Sequence, residues 1–296
     1  MDSELRHAVA AAIAGSTSRP AEVVSARPVG GGCINSACEV KLSDERRFFV
    51  KSNAAAPPRF FACEAEGLEA LAAAGTIRVP DVVARGATKA GEAFIVLERI
   101  ASRSPAPDFY EELGRRFAEL HRQAKNDRFG FERDNYIGST LQLNRWMDDW
   151  TELWRRHRLA YQLDLARRQG GSDPVLDRLG DRLLDRLDEL LDEPAEEPCL
   201  LHGDLWSGNF MADETGAPVL IDPAVYYGRR EADLAMTHLF GGFDRRFYDA
   251  YEEVWPLAPG SEERIEIYKL YHLLNHLNLF GGGYLASCDN VLRRFV

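Results

Sequence analysis

The stretch that decides the fold is residues 200–209, which read LLHGDLWSGN, and an Ile-Asp-Pro triplet follows at residues 221–223. An asparagine, Asn209, stands five residues after Asp204, and a second aspartate, Asp222, stands thirteen residues after Asn209. Phosphoryl transfer from ATP needs a carboxylate beside the acceptor hydroxyl and oxygen ligands that hold Mg²⁺ against the phosphates. The pattern is therefore typical of a kinase catalytic loop followed by its metal-binding aspartate.

The segment between Asn209 and Asp222 supports the same interpretation. Residues 213–217 read DETGA, which predicts the turn of a two-stranded ribbon that would return Asp222 to the metal bound by Asn209. We expect Asp204 to be the catalytic base and Asn209 and Asp222 to be magnesium ligands. Taken singly, Asp204 could cap a helix, Asn209 could close a turn and Asp222 could be a strand-end carboxylate. Only the three residues together indicate phosphoryl transfer. His202 is expected to anchor the loop by hydrogen bonding.

The first hundred residues predict a helix followed by a small β-sheet. Leu5, Val9 and Ile13 keep helical spacing in the opening segment. Strand patterns then occur at residues 23–28, 37–42 and 47–51, around residue 82 and at residues 94–97. A helix through Glu64 separates the third pattern from the fourth. The predicted order after the first helix is β-β-β-α-β-β.

A glycine-rich loop joins the first two strands. The loop contains Gly30, Gly31, Gly32 and Cys33. Glycines permit close backbone approach to phosphate, although Asn35 replaces the last glycine of the usual signature and a plain hairpin turn stays possible. Lys51 stands nineteen residues after the last glycine, where a lysine that pairs with the α- and β-phosphates is expected.

Two further predictions concern the surroundings of the nucleotide. Lys51 needs an orienting acid, and Glu64 on the next helix can supply it. Glu66 is the competing residue, which points about 200° away around the helix. The fifth strand ends at Glu98, Arg99 and Ile100, and we expect their backbone groups to meet adenine where the two lobes join.

Beyond residue 99 the sequence becomes mostly helical. Leucine spacing predicts helices around residues 113–120 and 176–190, and short apolar runs at 199–201 and 218–221 flank the polar loops. The predicted fold class is α+β, with a small antiparallel β-sheet N-lobe and a helical C-lobe. We assign residues 1–99 to nucleotide binding and residues 100–296 to catalysis and substrate binding.

Composition excludes several classes of protein. The 296 residues include 36 Lys and Arg against 47 Asp and Glu, so the formal charge of −11 argues against a nucleic-acid partner or an anionic membrane. No apolar stretch approaches the ~20 residues that cross a bilayer. Five cysteines without a C-x-x-C pair fit neither a disulfide framework nor a zinc knuckle, which favours a reducing cytoplasm.

The chain resembles the fructosamine kinase, or ketosamine 3-kinase, family, which has the protein-kinase-like and aminoglycoside-phosphotransferase-like fold. The resemblance is carried by the catalytic loop at residues 202–209 and by IDPA at 221–224, YYG at 226–228, READLAM at 230–236, LFGGF at 239–243, NYIG at 135–138 and LNHLN at 274–278. These motifs span almost the whole chain. Arg229 departs from the family pattern, where histidine is expected.

The resemblance implies an enzyme that uses ATP and Mg²⁺ to phosphorylate the 3-hydroxyl of a ketosamine, free or protein-bound, and so promotes release of the amine. It implies that Trp206 packs against the sugar, for which its indole provides a flat face. Asn135 and Tyr136 lie in an aromatic and polar loop suited to covering a sugar. Family members with a cysteine at the position of Cys33 can form redox-sensitive dimers, so the chain is expected to be a monomer or such a homodimer.

Two other functions stay open. A small-molecule kinase of the same fold that acts on an aminoglycoside or on choline would share the catalytic residues. A non-catalytic nucleotide-binding redox sensor would use Cys33 as its functional residue, but the presence of Lys51, Asp204, Asn209 and Asp222 argues against it. Protein kinase activity is disfavoured because Asp-Phe-Gly and Ala-Pro-Glu motifs are absent.

Overall fold

The computed structural model describes residues 1–30, 34–192 and 196–296. Its backbone falls into two compact units. The first comprises residues 1–109 together with 208–223, and the second comprises residues 110–207 together with 224–296. The assignment of nucleotide binding to residues 1–99 and of catalysis to residues 100–296 stays a prediction.

The first unit is built on a five-stranded antiparallel sheet. Its elements in chain order are α1 (Ser3–Thr17), β1 (Val23–Pro28), β2 (Ser36–Leu42), β3 (Arg47–Asn53), α2 (Phe60–Ala74), β4 (Val82–Ala87) and β5 (Ala93–Glu98). The strands lie in the order β1-β2-β3-β5-β4. This arrangement confirms the predicted order of elements and the antiparallel sheet.

Helix α1 covers one face of the sheet. Leu5, Val9 and Ile13 are buried together with sheet residues such as Val40 and Phe94. Their spacing puts all three on one side of the helix, and burying each such side chain stabilises the fold by roughly 1.5–3 kcal/mol. Asp2 caps the helix by accepting a hydrogen bond from the backbone N–H of Leu5 at 2.8 Å.

The first unit also includes a hairpin from later in the chain. Strands β9 (Phe210–Ala212) and β10 (Pro218–Leu220) pair antiparallel. Asp213 shapes the turn because its carboxylate accepts hydrogen bonds from Thr215 and from the backbone N–H of Ala217. The predicted two-stranded ribbon is therefore confirmed.

The second unit is mostly helical. Its helices are α3 (Phe109–Gln123), α4 (Trp150–Leu153), α5 (Tyr161–Gln169), α6 (Pro174–Leu190), α7 (Arg230–Thr237), α8 (Arg245–Val254), α9 (Ser261–Phe280) and α10 (Leu285–Phe295). A π-helical segment, Trp154–Ala160, joins α4 to α5, and a single 3₁₀ turn, Gly282–Tyr284, precedes α10. The structure confirms the predicted α+β class.

Two short strand pairs complete the second unit. They are β6 (Asn135–Ile137) with β7 (Thr140–Gln142), and β8 (Cys199–Leu201) with β11 (Tyr226–Gly228). The pairing of β8 with β11 brings the chain that enters the catalytic loop beside the chain that follows Asp222. Among the described residues, no helix is both long enough and apolar enough to cross a membrane.

Candidate active site

A buried lysine in the first unit lies between two carboxylates. Lys51 is an inner residue of β3, paired with Ala37 of β2 and Ile95 of β5. Its Nζ lies 2.6 Å from Oε1 of Glu64 on α2. The same ammonium donates a hydrogen bond to Oδ1 of Asp222. The structure thus brings together three residues that the sequence placed in one site.

Burial and charge act in opposite directions on this cluster. Desolvation by itself lowers the pKa of Lys51, but attraction to Asp222 and Glu64 outweighs it and raises the pKa above the usual value. Burial raises the pKa of Glu64 despite the attraction of Lys51. The side chain of Lys51 is therefore expected to stay protonated, as a group that binds phosphate must be.

The two glutamates of α2 have different partners. Glu64 contacts Lys51, whereas Oε1 of Glu66 accepts a hydrogen bond from the exposed guanidinium of Arg59 at 2.7 Å. This separation follows from the helical repeat, which directs residues two apart to different sides. The structure thus pairs Glu64, and not Glu66, with Lys51.

The two expected magnesium ligands lie at the two ends of the β9–β10 hairpin. The backbone carbonyl of Asn209 accepts a hydrogen bond from Ile221 at 3.0 Å, and its side-chain Nδ2 lies 3.4 Å from the carbonyl oxygen of Asp222. Asp222 has a φ of +56°, in the left-handed region. Such backbone strain in a non-glycine residue is often found at functional sites.

The donor atoms of this pair suit magnesium. An amide oxygen and a carboxylate are hard oxygen ligands, and Mg²⁺ commonly takes one or two protein ligands together with water and phosphate oxygens. In residues 1–30, 34–192 and 196–296, no group of three or more His, Cys, Asp and Glu side chains could hold a metal ion. The oxygen atoms of Asn209 and Asp222 match the one or two protein ligands that Mg²⁺ commonly takes, and their role as magnesium ligands stays a prediction.

The expected adenine-binding segment lies at the end of β5. The backbone N–H of Glu98 donates to the carbonyl oxygen of Asp81 at 2.8 Å, and its carboxylate accepts from Arg78 at 2.7 Å. Arg99 binds Glu39 through its guanidinium at 2.8 Å. Because the Glu98 amide is already paired, hydrogen bonds to adenine would come from other backbone groups of Glu98, Arg99 and Ile100.

The glycine-rich loop is described only in part. Gly30 is exposed after β1. Gly31, Gly32 and Cys33 lie outside the described residues, so their roles in phosphate binding and redox chemistry stay predictions.

The catalytic loop in the second unit is held by one buried carboxylate. Asp233 of α7 accepts hydrogen bonds from the backbone N–H groups of His202 at 2.7 Å and Gly203 at 2.8 Å. Nε2 of His121 lies 3.2 Å from the same carboxylate. Burial by itself raises the pKa of Asp233, but these hydrogen bonds and the adjacent histidines lower it. A charged Asp233 therefore orients the backbone directly before Asp204.

Gly203 brings the loop close to the segment after Asp222. Its φ is +82°, and a Cβ at this position would overlap the carbonyl oxygen of Ala224. The N–H of Ala224 in turn donates to the carbonyl oxygen of His202 at 2.8 Å. His202 itself is buried, and its Nδ1 lies 3.3 Å from the N–H of Asp204. Only glycine fits this close approach, which fixes the backbone on the N-terminal side of Asp204.

A buried network of polar side chains holds the backbone at Ala224 and Val225, the segment that Gly203 approaches. Asn135 donates to the carbonyl oxygen of Val225 at 2.8 Å, and Gln142 donates to that of Ala224 at 2.9 Å. Oδ1 of Asn135 accepts from Gln142 and from Asn144, both at 2.8 Å. Asn135 is thus engaged in holding the backbone, and contact of its side chain with substrate stays a prediction.

A buried arginine completes the network. Arg158, in the π-helical segment, is fully buried and donates to Oδ1 of Asn144 at 2.8 Å. Its guanidinium lies 4.2 Å from the ring centroid of Tyr226. Stacking on an aromatic face compensates part of the cost of burying the charge. The π-helical segment therefore anchors β11, which pairs with the strand that enters the catalytic loop.

The other expected substrate residues lie in different surroundings. Trp206 is 36% exposed, and its ring packs edge-on against Phe240 at 6.3 Å. Tyr136 is half-buried in β6. The guanidinium of Arg229 lies over the ring of Phe129, 5.3 Å from its centroid. The exposure of Trp206, two residues after Asp204, leaves its indole available to a bound molecule.

Comparison with known proteins identifies the family of this chain. The fructosamine kinase family model matches residues 5–296. The chain belongs to the fructosamine kinase family. It is 43% identical to a "probable ketoamine kinase" of Synechocystis over 97% of this chain and 95% of the relative. It is 44% identical to the chloroplastic protein-ribulosamine 3-kinase of Oryza sativa subsp. japonica over 92% of this chain and 78% of the relative. The resemblance inferred from the motifs is confirmed.

Solved structures give the same result for the fold. A crystal structure of a candidate fructosamine-3-kinase from Thermobifida fusca matches with a TM-score of 0.86 and 35% identity, over 96% of this chain and 97% of that one. A thermostable mutant of aminoglycoside phosphotransferase APH(4)-Ia matches with a TM-score of 0.66 and 15% identity, over 98% of this chain and 99% of that one. The fructosamine kinase family member described here therefore has the kinase-like fold expected from the sequence.

Proposed function

We propose that this member of the fructosamine kinase family is an ATP-dependent kinase that phosphorylates the 3-hydroxyl of ketosamines. The observation that carries the kinase chemistry is the buried Lys51, whose Nζ lies 2.6 Å from Glu64 and also contacts Asp222. A lysine held by a helix glutamate is the arrangement that kinases use to orient the α- and β-phosphates of ATP.

In this proposal the first unit binds the nucleotide. Lys51 pairs with the α- and β-phosphates, and Glu64 keeps its ammonium in place. The glycine-rich loop, with Gly30, Gly31, Gly32 and Cys33, covers the phosphates. Backbone groups of Glu98, Arg99 and Ile100 meet adenine. The raised pKa of Lys51 supports this role because the ammonium stays charged in its buried position.

Asn209 and Asp222 would hold Mg²⁺. The ion would neutralise charge on the phosphates and hold them in place. The hairpin between the two residues, with its turn fixed by Asp213, keeps both ligands on one rigid element.

Asp204 would act as the base. Its carboxylate accepts the proton of the substrate hydroxyl while the hydroxyl oxygen forms a bond to the γ-phosphorus and the bond from that phosphorus to the bridging oxygen breaks, releasing ADP. Asp233, through the backbone of His202 and Gly203, is a positioning residue for this step. Trp206 would provide a flat face for the sugar, with Tyr136 and Asn135 in its covering loop.

The acceptor class follows from the family. The rice relative is named a protein-ribulosamine 3-kinase and the Synechocystis relative a ketoamine kinase. We infer that fructosamines and ribulosamines are the acceptors, and that phosphorylation labilises the adduct and releases the amine.

The same proposal places the enzyme in the cytoplasm. In the described part of the chain, no disulfide joins Cys38, Cys63, Cys199 or Cys288.

An acceptor panel tests this function. Reduced protein is incubated with ATP, Mg²⁺ and a synthetic fructosamine, ribulosamine, choline or aminoglycoside, and ADP release is followed. We expect release only with the two ketosamines. Release with choline or the aminoglycoside alone would assign a different kinase of the same fold, and ATP binding without release for any acceptor would favour the Cys33 redox sensor.

A further inference from the structure

Five aromatic side chains form a continuous row in the second unit. We call this the aromatic row, and it consists of Trp206, Phe240, His276, Phe280 and Tyr284. Successive ring centroids lie 6.3 Å apart from Trp206 to Phe240, 4.7 Å from Phe240 to His276 and 5.5 Å from His276 to Phe280. Tyr284 lies 5.1 Å from His276. The row runs from the catalytic loop to the C-terminal end of α9.

The inner end of the row is fixed against the catalytic loop. Gly242 has a φ of +87°, and a Cβ there would overlap the side chain of Ser207. The hydroxyl of Tyr110 donates to the carbonyl oxygen of Gly242 at 2.9 Å. The segment that carries Phe240 is therefore seated on the loop that carries Asp204 and Trp206, and the outer rings stand on α9 and the turn after it.

The row accounts for most of the large apolar surface that the described chain exposes. Val24, Val29, Trp206, Phe240 and Phe280 are its exposed large hydrophobic side chains, and the last three belong to the row. Phe280 is 53% exposed. A contiguous aromatic patch on the surface marks a binding site far more often than single exposed residues do.

The chemistry of the row favours one kind of ligand. Aromatic faces attract ammonium groups and pack against alkyl or aryl chains. The one titratable imidazole in the row adds no competing cation near neutral pH, since burial lowers the pKa of His276. A molecule held at Asp204 and Trp206 that extends away from its sugar would reach Phe240 next.

We propose that the aromatic row binds the amine-bearing arm of the acceptor, meaning the alkyl or peptide chain that carries the secondary ammonium of a ketosamine. This inference rests on the proposed function and extends it, because it assigns the part of the acceptor beyond the sugar to named residues. It predicts that the enzyme discriminates among ketosamines of the same sugar by the length and apolar character of the arm.

The test compares two acceptors with the same ribulose sugar. One carries a methylamine arm, and the other carries the lysine of a short peptide with an adjacent leucine. The readout is the ratio of kcat/KM for the peptide acceptor to kcat/KM for the methylamine acceptor. Both acceptors carry the same secondary ammonium, so the ratio reports packing of the longer arm; we expect Phe280→Ala to lower it about three- to fivefold and the Phe240→Ala, Phe280→Ala double variant to lower it further. Phe280→Tyr, which retains the ring, should restore most of it.

A control variant and the pattern of losses distinguish the ways in which the proposal could be wrong. Val24→Ala removes an exposed hydrophobic side chain on β1 and should leave the ratio unchanged. A ratio unaffected by the double variant would overturn the proposal, as would equal losses with both acceptors. Equal losses accompanied by a lower molar mass in light scattering would assign the row to contact between two copies of the chain. Absence of turnover with either acceptor in the unmodified enzyme would instead refute the proposed function.

Discussion

Oε1 of Glu64 lies 2.6 Å from Nζ of Lys51, whereas Glu66 on the same helix binds Arg59 at the surface. This relationship connects α2 to β3 at the residue expected to hold the phosphates. It also provides two glutamates, two residues apart, that differ mainly in whether they contact the lysine.

The two glutamates permit a matched comparison. Glu64→Gln removes the charge that orients Lys51, so we expect the KM for ATP to rise at least about tenfold, in line with ~1.5–3 kcal/mol for a charged hydrogen bond. Glu66→Gln should leave it within twofold. Steady-state kinetics with varied ATP measure both. Equal effects of the two substitutions would show that the Lys51–Glu64 pair does not position the nucleotide.

A second prediction concerns the clamp on the catalytic loop. Asp233→Asn keeps the shape of the side chain but removes its charge and leaves one oxygen to accept from the two backbone N–H groups. We expect kcat to fall at least about tenfold while the KM for ATP stays the same. Asp173→Asn is the control, since Asp173 also accepts two backbone N–H groups, at the start of α6. An unchanged kcat for Asp233→Asn would remove Asp233 from the positioning role.

A third prediction follows from the close approach at Gly203. Gly203→Ala must displace the segment at Ala224 and also adopt an unfavourable φ, so it should cost more than ~1 kcal/mol of unfolding free energy and most of the activity. The control is Gly15→Ala, since Gly15 lies in α1 with open space around it. That substitution should stabilise the protein by up to ~1 kcal/mol. Urea unfolding together with ADP release distinguishes the two, and a fully active Gly203→Ala variant would contradict the geometry.

A fourth prediction concerns pH. Burial lowers the pKa of His272 on α9 from 6.5 to about 3. Below pH 6.5 the unfolded chain binds a proton that the folded chain does not, so the stability provided by neutral His272 is complete above that pH and decreases as the pH falls towards 3. The slope of unfolding free energy between pH 6 and 4.5 should be shallower by up to ~1.4 kcal/mol per pH unit in His272→Gln than in the unmodified protein. Urea titrations at several pH values measure it. The exposed His7→Gln serves as control, and identical slopes for His272→Gln and the unmodified protein would contradict the prediction.

Local sequence signals were sufficient for the first unit. Short apolar runs bounded by turn residues predict the strands, and the predicted strand at residues 23–28 has the same bounds as β1. Helical periodicity places Glu66 about 200° away from Glu64 around α2, so the sequence alone distinguishes the two residues. These features depend on residues close together in the sequence, which is why pattern alone revealed them.

The supports of the catalytic loop could not be predicted in the same way. Asp233 lies thirty residues from Gly203, and no local pattern marks a carboxylate that will accept backbone hydrogen bonds from a distant loop. The strands β6, β7 and β11 have three residues each, too few to show an alternating pattern. Asn135 stays a predicted substrate residue of an aromatic and polar loop, whereas its burial and hydrogen bonds depend on tertiary contacts with Gln142 and Val225 that no local pattern shows.

In the proposed reaction, Asp204 directs phosphate to the 3-hydroxyl of a ketosamine. The most direct measurement is the ³¹P–¹H correlation spectrum of the product formed from ATP and a ribulosamine, with Asp204→Ala assayed in parallel. We expect a phosphorus signal correlated with the proton on carbon 3, and no product from the variant although it still binds ATP. Phosphate on another hydroxyl, or an undiminished rate for Asp204→Ala, would contradict it.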